Sequence, residues 1–156
     1  EPNLLLRDNV KMHFTASAWV LNPSKDKVLM LYHNIYQSWS WSGGHADGEG
    51  DLLSVAMKEV KEESGLVSLK PLSDSPISIE ILGVQPHYKK QKYVSAHLHL
   101  NYTFLLHNTK EEKLKICPEE NSKVGWLSPD EAVRSSTEAW MKPIYEKLNQ
   151  KMREYL

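Results

Sequence analysis

Three carboxylates fall within five residues, Glu59, Glu62 and Glu63, in the run DLLSVAMKEVKEES from Asp51 to Ser64. On a helix turning 100° per residue, Glu63 lies about 40° to one side of Glu59 and Glu62 about 60° to the other, so all three share a face. Leu53, Ala56, Met57 and Val60 form an apolar stripe beside them, which lets the helix bury one side while its acids face an adjoining cleft. Glu59 and Glu63 are like charges at i and i+4 near the negative end of the helix dipole, an arrangement that calls for a cation. Hard divalent ions choose clustered carboxylate oxygens, and Mg²⁺ takes them together with substrate phosphates. The competing reading is a solvated acidic face balanced by Lys58 and Lys61. The preceding loop weighs against it: GGHADGEG, Gly43 to Gly50, lets backbone groups approach a phosphate or metal closely.

The segment from Gly44 to Leu66 resembles the box of the Nudix hydrolase family, G-x5-E-x7-R-E-U-x-E-E-x-G-U, with U a bulky aliphatic residue. Gly44 fills the first position, EVKEESGL from Glu59 to Leu66 fills the last eight, and WSWSGG from Trp39 is similar to the family's lead-in. Two positions depart from the pattern: Gly50 stands where the family has Glu, and Lys58 where it has Arg. A Lys point charge does not reproduce the planar Arg fork, and Glu49 is the neighbouring substitute for the missing acid. If the family's pair braces the loop against the helix, that brace is redesigned or weakened here.

The resemblance implies an α/β (α+β) fold, a mixed β-sheet sandwiched between helices, with the box as a loop-helix-loop unit in a single domain over residues 1–156. It implies hydrolysis of the phosphoanhydride of a nucleoside diphosphate linked to another moiety X. Mg²⁺ or Mn²⁺ would be held by Glu59, Glu62, Glu63 and a backbone carbonyl of Gly43 or Gly44, lowering the pKa of the attacking water. Glu59 and Glu63 would be catalytic, Glu59 being the first candidate for orienting or deprotonating that water. A further acid often comes from beyond the box, which points to Glu119 or Glu120, with a solvated role in a charged loop as the competing reading. The alternative function is a nucleotide-binding module with weak or no turnover, suggested by Gly50 and Lys58. Family members often form homodimers, and no accessory motif names the substrate.

Beyond the box, SAHLHLNYTF from Ser95 alternates His97, His99, Asn101 and Thr103 with Leu98, Leu100, Tyr102 and Phe104, the period of a strand with one polar face. His97 and His99 are candidates for phosphate or metal, against histidines that simply line a wet cleft. His45 follows the glycine pair and is a candidate for contact with the diphosphate. Lys89, Lys90 and Lys92 either gather anions or form a solvated hairpin tip. Trp39 and Trp41 either pack against the loop or stack on a base.

The elements needed to position these residues are legible in outline. Residues 14–21 and 27–32 are apolar and separated by the turn formers NPSKD, which predicts a hairpin. Residues 34–50 read as a shaped loop, and Asp51 and Gly65 as the N-cap and stop of the acidic helix. Residues 77–84 and 93–106 read as a second, longer hairpin, and 124–127 as one more strand. Ser128-Pro129 opens a short helix. A final helix is expected over residues 137–155, with Pro143 either kinking it or marking its true start.

Composition closes off other classes. A chain of 156 residues, 40% hydrophobic, can bury roughly 70% of its unfolded surface without covalent help. The single cysteine, Cys117, excludes an internal disulfide and a zinc finger. Nineteen Lys and Arg against twenty Asp and Glu leave no basic field for nucleic acid, so the expected partner is a small nucleotide derivative. No apolar run approaches a membrane span and EPNLLLRDNV lacks a signal-peptide pattern, so the expectation is no membrane and a cytoplasmic setting.

Overall fold

The computed structural model describes residues 3–156. Ten strands and three helices follow one another as β1 (Met12–Leu21), β2 (Val28–His33), β3 (Ser38–Ser40), β4 (Ser42–His45), α1 (Leu52–Ser64), β5 (Leu69–Pro71), β6 (Ser78–Val84), β7 (His87–Lys89), β8 (Lys92–Val94), β9 (His97–Asn108), β10 (Asn121–Leu127), α2 (Pro129–Arg134) and α3 (Lys142–Arg153). Eight strands make one sheet in the order β10-β2-β1-β9-β5, with β3 on β2, β4 on β1 and β6 on β9; β7 and β8 pair separately. The sheet is mixed because β1 and β9 run parallel while the remaining pairings are antiparallel.

Alternation along β1 divides the interior. Ala16, Ala18 and Val20 face Val55, Ala56, Val60 and Leu66 of the α1 unit, whereas Trp19 and Leu21 face Ala132, Tyr145, Leu148 and Met152 from α2 and α3. Helices therefore cover both faces, the sandwich that the box implied. Trp19 stacks on Tyr145 at 5.3 Å between ring centres and donates its indole N–H to Asn149 at 3.2 Å, so the largest buried side chain loses no hydrogen bond by burial.

Both ends of α1 follow their sequence signals. The Asp51 side chain accepts from the Ser54 amide, an N-cap bond. Gly65 closes the helix at φ 79°, its N–H returning to the Lys61 carbonyl, the left-handed stop that glycine adopts without strain. The buried stripe comprises Val55, Ala56, Val60, Glu63 and Ser64. Ala56 and Val60 of the predicted stripe are buried and Leu53 and Met57 pack partly buried against the same core, while Glu63 and Ser64 extend the buried side toward the acids.

Three expectations are corrected. Residues 34–50 are not all loop, since β3 and β4 pair with β2 and β1; their Ser and Gly residues have low strand propensity and are held by tertiary pairing. The second hairpin forms as β6 against β9, Ser78 opposite Thr103 through Val84 opposite His97, but its connection is a smaller hairpin of β7 and β8 turning at Lys90-Gln91, both with positive φ. The final helix starts at Lys142 after a 3-10 turn, Ala139–Met141. Pro143 sits in the first turn of α3, where its missing N–H costs nothing, so it marks the start and kinks nothing.

Candidate active site

Gly44 and Glu59 are tied by space. A Cβ on Gly44 would stand 2.8 Å from the farther Glu59 carboxylate oxygen and closer still to the carboxyl carbon. The glycine is needed because the acid from α1 occupies the volume that a side chain would take, and not for any unusual φ. One turn on, Glu63 is 4% exposed and its Oε1 accepts from the Ser42 hydroxyl at 2.8 Å and the Gly43 amide at 3.1 Å. The lead-in serine and glycine thus anchor one acid while the next glycine makes room for the other.

Glu120 completes the acidic side of the cleft. The carboxamide of Asn121, buried beside it, donates to the Glu63 carbonyl at 3.0 Å, and the Glu120 carbonyl accepts from the Asn34 amide at 3.0 Å. These bonds fix the turn entering β10 against the end of α1. Glu59, Glu63 and Glu120 line one cleft of about 750 Å³, whereas Glu119 is exposed to solvent and does not line it. Glu62, expected beside Glu59 and Glu63, is exposed and does not line the cleft; its carboxylate lies 3.8 Å from Lys58. Burial, then the charges of Glu62 and Glu120, push Glu59 up to about 7. Burial, opposed by the Ser42 hydroxyl and reinforced by Glu59, pushes Glu63 up to about 8.

The opposite wall is built by strand register. In the parallel pair, His13 lies opposite His99, Thr15 opposite Asn101 and Ser17 opposite Thr103; β4 places His45 opposite Thr15. The Thr15, Ser17, Asn101 and Thr103 side chains bond to one another at 2.8–3.1 Å, a satisfied polar floor that leads to the histidines. His45, His97 and His99 all line the cleft, as does His13. Burial pulls His45 and His99 down to about 3 and lowers His13, so these rings are neutral at ordinary pH. His13 was not among the sequence candidates. Its signal was present, since His13, Thr15 and Ser17 alternate with Phe14, Ala16 and Ala18, but the predicted strand began one residue too late.

The glycine loop is held from positions other than the two that depart from the box. Gly50 has open space around it and Lys58 reaches only Glu62, but Arg7 grips Asp47 with both arms of its guanidinium, at 2.8 and 2.6 Å. Gly48 donates to the Leu5 carbonyl at 2.9 Å and Ala46 to the Phe14 carbonyl at 3.1 Å. The N-terminal segment therefore holds the loop from outside. Glu49 caps the Asp51 amide at 2.8 Å, a local bond that does not reach α1's acidic face. Trp39 packs edge-on against Tyr32, which favours packing over stacking for this residue. Trp41 and Lys89 line the cleft.

The profile of the NUDIX domain matches residues 11–148. The chain belongs to the Nudix family. As a member it is a hydrolase of phosphoanhydride bonds. Solved structures share its fold: a C. elegans Ap4A hydrolase binary complex at 18% identity and TM-score 0.68, covering 90% of this chain and 98% of that one, and a NUDIX-family hydrolase from Clostridium perfringens at 17% and 0.66, covering 92% and 98%. The E. coli dihydroneopterin triphosphate pyrophosphohydrolase is similar at 17% and 0.61, covering 86% and 92%. No curated protein matches the sequence. No helix among the described residues is long and apolar enough to cross a membrane.

Proposed function

We propose that the protein is a Mg²⁺- or Mn²⁺-dependent pyrophosphohydrolase that cleaves the phosphoanhydride of a nucleoside diphosphate linked to a further group. The observation that carries this is the convergence of Glu59, Glu63 and Glu120 on one cleft, with Glu59 filling the space left by Gly44. The donor set is all oxygen and anionic, and its two inner acids hold protons far above the carboxylate norm, as a site does that needs a dication. Glu59, Glu62, Glu63, Glu120 and the carbonyl of Gly44 would hold the metal. The bound metal would neutralise the diphosphate and lower the pKa of water.

Within that frame each residue has its own task. Glu59, whose two oxygens lie over Gly44, orients and deprotonates the attacking water. Glu63, anchored through Oε1, keeps its other oxygen for the cation and holds the charge in place. His45, His97 and His99 line the end of the cleft that takes the phosphates, and the exposed aromatics Tyr36, Tyr93 and Trp140 at the cleft supply faces for a nucleobase. The partner is a small nucleotide derivative met in the cytoplasm, with the whole chain acting as one domain.

The test is product release from a panel of nucleoside diphosphate derivatives with Mg²⁺, Mn²⁺ or EDTA. The panel includes Ap4A and dihydroneopterin triphosphate, the compounds named for two relatives of this fold. Metal-dependent turnover that falls below detection in Glu63→Gln, with the thermal midpoint kept, is the expected result. Tight nucleotide binding without turnover by any member would instead make the chain a binding module.

A further inference from the structure

Four imidazoles meet on the cleft floor from three strands. The His13 ring centre lies 5.0 Å from His45, 4.9 Å from His97 and 5.0 Å from His99. One ring nitrogen from each of His13, His45 and His99 lies within 4.8 Å of the others. We propose that His13, His45 and His99 form a site for a first-row transition-metal dication, best matched by Zn²⁺, distinct from the carboxylate site of the Nudix box and open to the cleft.

The orphaned nitrogen of His13 argues this most directly. His13 is 4% exposed, and its Nδ1 lies 3.1 Å from the Asn9 carbonyl, which makes that nitrogen the donor. The lone pair is therefore on Nε2, which is buried and finds no hydrogen-bond partner. Leaving such an atom unsatisfied costs about 1–3 kcal/mol, a cost that a metal bond removes. A histidine held through its far nitrogen by a backbone carbonyl is also the usual support for a metal ligand.

His97 gives the same support to its neighbour. Its Nδ1 donates to the Ser95 carbonyl at 2.8 Å, so its Nε2 accepts, 3.1 Å from His99 Nε2. His97 is thus a positioning residue that fixes the His99 ring.

Donor chemistry selects the ion. Three neutral imidazoles and no carboxylate suit Zn²⁺, Cu²⁺ or Ni²⁺ and are a poor set for Mg²⁺. Tetrahedral Zn²⁺ with bonds of about 2.0–2.1 Å places its nitrogens about 3.3 Å apart. The three nitrogens lie within 4.8 Å of one another, so binding requires the rings to draw in by about 1.5 Å. The cations that act on His45 are Arg7, which is ion-paired with Asp47, and Lys89. Three protein ligands leave a fourth position for water or an anionic oxygen of a bound phosphate compound. The site stands on the histidines alone and does not depend on the hydrolytic reading.

Titration of the metal-free full chain with Co²⁺, with excess Mg²⁺ present, tests this without reference to activity. The expected result is one equivalent of Co²⁺ with the intense visible bands of a four- or five-coordinate nitrogen site, displaced by Zn²⁺ and unaffected by Glu59→Gln. His13→Asn, His45→Asn and His99→Asn should each abolish the bands, and His97→Asn should weaken binding about 10–100-fold. Only the faint spectrum of octahedral Co²⁺ in the unaltered protein would overturn the proposal whether or not the variants fold. Bands that survive the histidine changes and vanish with Glu59→Gln would assign the ion to the carboxylates.

Discussion

At Gly44 the constraint is volume, so substitution there should injure chemistry more than folding. Gly44→Ala would push the Glu59 carboxylate aside, and a displacement of about 1 Å at a reacting group costs on the order of 100-fold in rate. The expected result is that loss in kcat with KM little changed, read from steady-state kinetics on whichever substrate the panel yields. Unchanged kcat would show that Glu59 acts from another position. Glu59, Glu63 and Gly44 could be selected from spacing alone because the box fixes them on one helix turn and its loop. Glu120 could not be separated from Glu119, because the difference lies in how Asn121 anchors the turn to Glu63.

Among the elements, the loop brace shows one physical task moved to new residues. The fork expected from the box is absent at Lys58, and Arg7 supplies it through Asp47, 40 positions away in the chain. Both partners are about half exposed, so the pair should contribute less than about 1 kcal/mol to stability while still fixing the loop. Arg7→Lys should therefore lower metal-dependent turnover about tenfold and shift the thermal midpoint by no more than a few degrees. Adding Gly50→Glu and Lys58→Arg should recover turnover in Arg7→Lys and change the unaltered protein little. If the triple variant stays as slow as Arg7→Lys, the two braces are not equivalent. Strands of alternating pattern were readable in sequence, while β3 and β4 were not, since SWS and SGGH gain their strand conformation only from pairing with β2 and β1.

For the whole molecule, the buried acids link stability to pH and metal. Glu59 and Glu63 hold protons to about pH 7 and 8 in the folded chain, against an ordinary 4.5, so these two groups bind more protons in the folded than in the unfolded state between these limits. Their contribution is full below about pH 4.5 and is lost as pH rises through about 8, because stability falls with pH wherever the native state is the more protonated. His45 and His99, held down to about 3, bind fewer protons folded than unfolded below about pH 6.5 and offset the acids there, so in EDTA the thermal midpoint should fall between about pH 6.5 and pH 8, and the slope should flatten in Glu59→Gln/Glu63→Gln. Mg²⁺ at about 100 times its dissociation constant should add about 2.7 kcal/mol at pH 8, or about 5–10 °C, and much less at pH 5, where protons compete for the same oxygens. A midpoint that rises between about pH 6.5 and pH 8 in EDTA would mean that the two carboxyls are solvated.

The sequence by itself determined the acidic helix with both its caps and the glycine loop, because these depend on short-range periodicity and capping, and the fixed spacing within 23 residues, Gly44 to Leu66, carried the family resemblance that implied the sandwich class. It also determined that His97 and His99 share a face with Asn101 and Thr103. Only the tertiary structure decided that His13 and His45 join them, that Glu120 rather than Glu119 enters the cleft, and that Arg7 braces the loop. Each of these depends on the register of strands or segments far apart in the chain. Period-2 alternation sets the face on which a side chain lies, while only the pairing of β1 with β9 and β4 sets which side chains stand beside it.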